Sequence, residues 1–151
     1  MSTLPSESER AAAAALSAAG FATVRFVPPS TAARSADLVA ERFGERWAVE
    51  VREATRPLRE DGSFEPIEPG EKLPYPTLQE YFDLMWSEKW SQLAATMSVE
   101  RCGKGLLVAV VEGKRGGAWE KALESAWHRA GRPQGMRFAL VHGGTLIGPL
   151  G

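Results

Sequence analysis

One run of residues constrains this chain more than any other: Leu106-Leu107-Val108-Ala109-Val110-Val111. An unbroken apolar stretch of this length, rich in β-branched valine, has no polar face to turn to water. It reads as a strand, spanning Leu106 to Glu112, covered on both sides of its sheet. Covering both sides takes helices above and below, so the chain is of the α/β class. Ser6 to Ala19 supplies one helix, since it is rich in alanine, carries Glu7 and Glu9 in its first turn and stops at Gly20. A second starts at Leu78 behind Thr77 and Glu80, which fit a capping box, and runs to about Arg101 with a break near Trp86 to Glu88. Gly103 and Gly105 end it. A third, Ala118 to Ala130, opens after Gly116-Gly117 and closes at Gly131 and Pro133.

The remaining strands fall between these helices. Phe21 to Val27 is β-rich and ends at Pro28-Pro29. Ser35 to Arg42 and Trp47 to Glu53 are separated by Phe43-Gly44-Glu45-Arg46, short enough for a hairpin. Met136 to His142 is a further buried strand, and Thr145 to Ile147 adds an edge piece. The order is α-β-β-β-α-β-α-β: a mixed central sheet flanked by helices, meandering first and joined by parallel crossovers later. With 151 residues this is a single domain. Residues 54–76, rich in prolines and charges, form a long loop or lid.

Composition narrows the function classes. Net charge is -1, which excludes a strongly basic coat for nucleic acid but not a local basic face. Residues 37–84 carry six basic and twelve acidic side chains, and residues 85–151 nine basic and five acidic. An acidic middle before a basic end fits a metal site beside a phosphate-binding face; a solvated surface of uneven sign is the plainer account. Cys102 is the single cysteine, so neither an internal disulfide nor a thiolate zinc cluster can form. There is no apolar run of membrane-spanning length, and the polar start, Met1 to Arg10, does not resemble a secretory signal. The expected setting is the cytoplasm, without membrane.

The chemistry concentrates on the hairpin. Alternation along its strands puts Asp37, Glu50 and Arg52 on one face and leaves Leu38, Ala40, Val49 and Val51 to build core on the other. A Phe43-Gly44 turn sets Asp37 opposite Glu50. A Gly44-Glu45 turn sets it opposite Arg52. In either register two carboxylates lie close enough for one divalent cation, and magnesium accepts such a hard-oxygen set while keeping several waters. Such an ion lowers the pKa of a bound water and stabilises charge on phosphate. The same three side chains can instead form a surface ion cluster.

Here the chain resembles the restriction-endonuclease-like, or PD-(D/E)xK, nucleases, over roughly residues 6 to 112. Asp37 matches the motif's Asp near the start of the second strand, and Glu50-Val51-Arg52 matches (Asp/Glu)-x-Lys on the third. Ala36 stands where the family has proline, and Arg52 where it has lysine. An arginine holds charge but does not shuttle protons. Some members bring the lysine from the following helix, which points to Lys89, with Gln92 one turn on. Others add a carboxylate from the first helix, which points to Glu7 or Glu9. The resemblance implies a Mg2+-dependent nuclease, weak or inactive, hydrolysing phosphodiester bonds in DNA ahead of RNA. In that reading Asp37 and Glu50 are metal ligands, Arg52 binds the scissile phosphate and Lys89 orients the water. Arg52 is expected to contact Asp37 or Glu50. The alternative is a non-catalytic binding or protein-interaction module on the same scaffold, working as a homodimer or through a protein partner. A third is an unrelated small α/β protein whose acidic loop meets a partner.

Other features read as structural. Phe82, Trp86, Trp90, Leu93 and Met97 form a core stripe, and Trp119 and Trp127 pack likewise. His128 and His142 lack ligand partners nearby. Residues 113–117, Gly-Lys-Arg-Gly-Gly, resemble a plain basic turn more than an anion cradle through Lys114 or Arg115. Arg129, Arg132 and Arg137 are candidates for a nucleic-acid-facing patch, and Cys102 packs.

Overall fold

The computed structural model describes residues 6–27, 37–66, 68, 70 and 75–150, without the side chains of 23–25 and 150. Elements run α1 (Glu7–Ala18), β1 (Ala22–Phe26), β2 (Leu38–Arg42), β3 (Glu45–Glu53), α2 (Leu78–Val99), β4 (Lys104–Val110), α3 (Ala118–Arg129), β5 (Met136–His142) and β6 (Thr145–Leu150). Six strands make one mixed sheet in the order β1-β2-β3-β4-β5-β6. β1, β2 and β3 meander antiparallel, β3-β4 and β4-β5 pair parallel, and β6 returns antiparallel. The parallel pairs follow from the helices between them, since a crossover long enough to hold a helix returns the chain in the same direction.

β4 is covered on both sides, as its apolar run requires. Leu106 and Val108 join Leu16, Phe21, Val49 and Val51 under α1, whereas Leu107 and Ala109 join Phe82, Met85, Trp119 and Phe138 under α2 and α3. The β2–β3 hairpin turns at Phe43 (φ 52°) and Gly44 (φ 76°), two left-handed residues in succession, so the strands close at Arg42 and Glu45. That backbone twist matches the strands it joins. Leu38, Ala40, Val49 and Val51 face α1, as the alternation predicts. The expected strand start at Ser35 and Ala36 and the stop at Pro28-Pro29 lie outside the described residues.

Three expectations are corrected. α2 continues through Trp86 to Glu88, because the segment holds no glycine or proline to interrupt the ladder. It ends at a left-handed Arg101 (φ 55°) rather than at a glycine, and the Cys102 N–H closes onto the Met97 carbonyl at 2.8 Å. Trp90 leaves the stripe and stands 50% exposed. The inward face of α2 instead runs Leu78, Tyr81, Phe82, Met85, Leu93 and Thr96, all buried.

Three apolar residues of the long loop join the core. Ala54, Leu58 and Phe64 are buried beside α2 and α3, and Leu58 bridges to both Phe64 and Gly113. The 113–117 turn owes its glycines to this loop. A Cβ on Gly113 would meet the Leu58 backbone, and one on Gly116 the Glu60 carbonyl. Its cations are engaged too: Lys114 pairs with Glu60 at 2.8 Å and Arg115 with Glu120 at 2.9 Å. Among the described residues no helix is long and apolar enough to cross a membrane.

Candidate metal and phosphate site

Asp37 sits where β2 begins, held by both neighbouring strands. Its N–H donates to the Val49 carbonyl and its own carbonyl accepts from the Val27 N–H, each at 2.9 Å. The Asp37 carboxylate reaches across to β3, accepting the Val51 N–H on Oδ2 at 2.6 Å. An orphaned strand N–H is costly to bury, so the contact anchors the side chain at the strand edge.

The register with Leu38 opposite Val49 puts Asp37 beside Glu50, the first of the two alternatives. Glu50 points to the α2 side of the sheet, as does Leu107, its neighbour on β4. It is 5% exposed, and its Oε2 is buried without a hydrogen-bond partner. Burial pushes the Glu50 carboxyl up to about 8, and the adjacent Asp37 charge adds to this; Lys89 pulls the other way. Burial also raises Asp37, opposed by the Val51 N–H. The pair therefore holds a proton at neutral pH.

Two further candidates from the helices act on this pair unequally. Lys89 on α2 acts on both carboxylates, and Glu9 of α1 acts on Asp37. Of the two first-helix carboxylates it is thus Glu9 whose charge is felt, although its side chain also closes the α1 capping box with Ser6. Gln92, one turn after Lys89, has a buried Oε1 without a partner. Arg52 departs from expectation. It makes its ion pair with Glu88 of α2 at 3.4 Å rather than with Asp37 or Glu50, and its guanidinium lies beside the buried Tyr81 hydroxyl. A long side chain two residues beyond Glu50 reaches the next turn of α2, where Glu88 and Tyr81 stand on one helix face.

Glu88 and Tyr81 escaped the sequence reading. A signal for this site was nevertheless present. The inward spacing of α2 through Phe82, Met85 and Thr96 puts Lys89 and Gln92 where apolar residues belong. On the facing strand Glu50 interrupts the apolar run of β3 although it is buried.

The other candidates are engaged elsewhere. Arg129 pairs with Asp83 at 3.1 Å, Arg132 donates to His128 Nδ1 at 2.9 Å, and Arg137 donates to the Met136 carbonyl at 2.9 Å. His142 Nε2 bonds the Gly113 carbonyl at 2.8 Å with its ring against Trp119, and Cys102 is buried. Two open hollows of about 550 and 350 Å³ run along residues 58–65 and α3, and neither is lined by Asp37, Glu50, Arg52 or Lys89. Among the described residues no group of three or more His, Cys, Asp or Glu side chains forms a metal cage. Comparison of the chain with protein-family models, curated proteins and solved structures finds no match.

Proposed function

We propose that this chain is a divergent, metal-dependent nuclease-like protein of the restriction-endonuclease-like fold that hydrolyses phosphodiester bonds in DNA, weakly. The observation that carries the reading is the buried Glu50 beside Asp37 with Lys89 set against both. A buried carboxyl with an orphaned oxygen is costly for stability alone, and such groups concentrate at functional sites. The α-β-β-β-α-β order and the sequential sheet support it further.

The donor set fits magnesium: two hard carboxylates on neighbouring strands, one with an unused oxygen. When bound, the ion would supply charge stabilisation at the phosphate and a more acidic water. Asp37, fixed by the Val51 N–H, presents its remaining oxygen. Glu50 gives up its proton before it can act as a ligand, so the site gains affinity as pH rises toward 8. Lys89 offsets the charge of the pair and orients the attacking water. Arg52 holds substrate phosphate through its planar fork.

Calorimetric titration with Mg2+ and Mn2+ at pH 8.5 tests this, alongside nicking of supercoiled DNA. Heat should appear with the native chain and vanish in Glu50→Gln, with slow nicking that Lys89→Ala abolishes. No heat with either ion at that pH overturns the proposal. The second reading, a non-catalytic interaction module, draws on the lack of a third ligating side chain among the described residues. It predicts no heat and no nicking.

A further inference from the structure

The two cations near the carboxylate pair have different partners. Lys89 acts on both carboxylates; Arg52, whose charge also reaches Glu50, makes its ion pair with Glu88 and lies beside Tyr81. We propose that Arg52, with Tyr81 beneath it and Glu88 as its resting partner, is a second anion site that takes the phosphate adjoining the scissile one on a DNA strand. The inference rests on the nuclease reading and assigns a substrate subsite within it.

Geometry and chemistry carry it together. Glu50 and Arg52 are alternate residues of one strand, about 6.5–7 Å apart along it and on the same face. That span is comparable with the step between successive phosphates of an extended nucleic-acid strand. The Arg52–Glu88 pair is long at 3.4 Å, with side chains 34% and 45% exposed. A pair so exposed is weak and exchanges readily for a better anion. Phosphate is that anion, because the guanidinium fork meets two of its oxygens at once. Tyr81 is 2% exposed, and its buried hydroxyl has no hydrogen-bond partner. The Arg52 guanidinium lies beside this hydroxyl, and the Tyr81 ring belongs to a group with Phe64 and Tyr75 whose rings pack edge-on at 4.7 to 5.7 Å. Glu88 competes for the same fork and so weakens strand binding until phosphate displaces it.

The test uses 5′-labelled single-stranded DNA hexamers in Ca2+, read by fluorescence anisotropy, with one phosphate at a time replaced by neutral methylphosphonate. In the native chain, replacement at one position adjoining the metal-bound phosphate should weaken binding about tenfold. Arg52→Gln should weaken the unmodified hexamer by a similar factor and become indifferent to that replacement. Its salt dependence should fall by about one phosphate contact. Glu88→Gln should bind several-fold tighter. Tyr81→Phe should lose a few-fold in affinity without losing melting temperature, which a merely structural role would not give. Equal sensitivity of native and Arg52→Gln proteins to every replacement overturns the subsite, and so does unchanged affinity in both Arg52→Gln and Glu88→Gln. Failure of the nuclease reading looks different: no Mg2+ heat and no Asp37-dependent binding of any hexamer.

Discussion

Replacing Glu50 with Gln should stabilise the protein, and the gain should depend on pH in a defined way. The folded carboxyl titrates at about 8 against an ordinary 4.5, burial being the main cause. Between those values the folded state keeps a proton that the unfolded chain releases. The Glu50 contribution to stability is therefore fully present below about 4.5, falls as pH rises through the window, and levels off above about 8. At about 1.4 kcal/mol per pH unit the ceiling is about 5 kcal/mol. Part of the proton is shared with Asp37, and Lys89 relieves part of the charge, so about 2–4 kcal/mol is the expected effect. Glutamine keeps the shape and removes the titration. At pH 5 the two proteins should unfold alike. At pH 8.5 Glu50→Gln should melt roughly 5–15 °C higher, given about 2–4 °C per kcal/mol for a chain of this size. Urea denaturation across pH 5 to 9 supplies the free energies, and comparing the two proteins cancels the groups that do not couple to Glu50. Millimolar Mg2+ at pH 8.5 should close part of the gap by stabilising only the native sequence. Parallel stability profiles from pH 5 to 8 would refute the reasoning, since Glu50 would then titrate as an ordinary carboxylate.

Substitutions at four positions probe the frame around the site. Asp37→Ala removes the acceptor of the Val51 N–H and should cost about 1–3 kcal/mol in urea unfolding at pH 5, whereas Asp37→Asn, which keeps an acceptor oxygen, should cost less. Gly113→Ala combines a φ of 122° with overlap onto the Leu58 backbone and should lose about 2–4 kcal/mol; Gly44→Ala, equally left-handed but in open space, should lose about 1 kcal/mol. Phe43→Asn should gain up to about 1 kcal/mol in thermal melts, because Phe43 is 91% exposed at a left-handed turn position that suits asparagine.

Local patterns set the architecture of this chain. The apolar run in β4 demanded cover on both faces, and helix-length segments before and after it made its neighbours parallel. Alternation placed Asp37 and Glu50 on one face of the hairpin and its apolar residues on the other, because the two-residue period of a strand survives any tertiary setting. Tertiary structure decided what periodicity cannot express. The hairpin register needed the left-handed turn at Phe43, an unfavoured residue there. The partner of Arg52 depended on which turn of α2 crosses β3, a matter of packing between segments thirty-six residues apart. Trp90 left the core for the same reason: Lys89 and Gln92, not Trp90, occupy the face of α2 that meets the carboxylates. The titration of Glu50 is likewise a product of burial, and burial exists only once the sheet and α2 have closed around it.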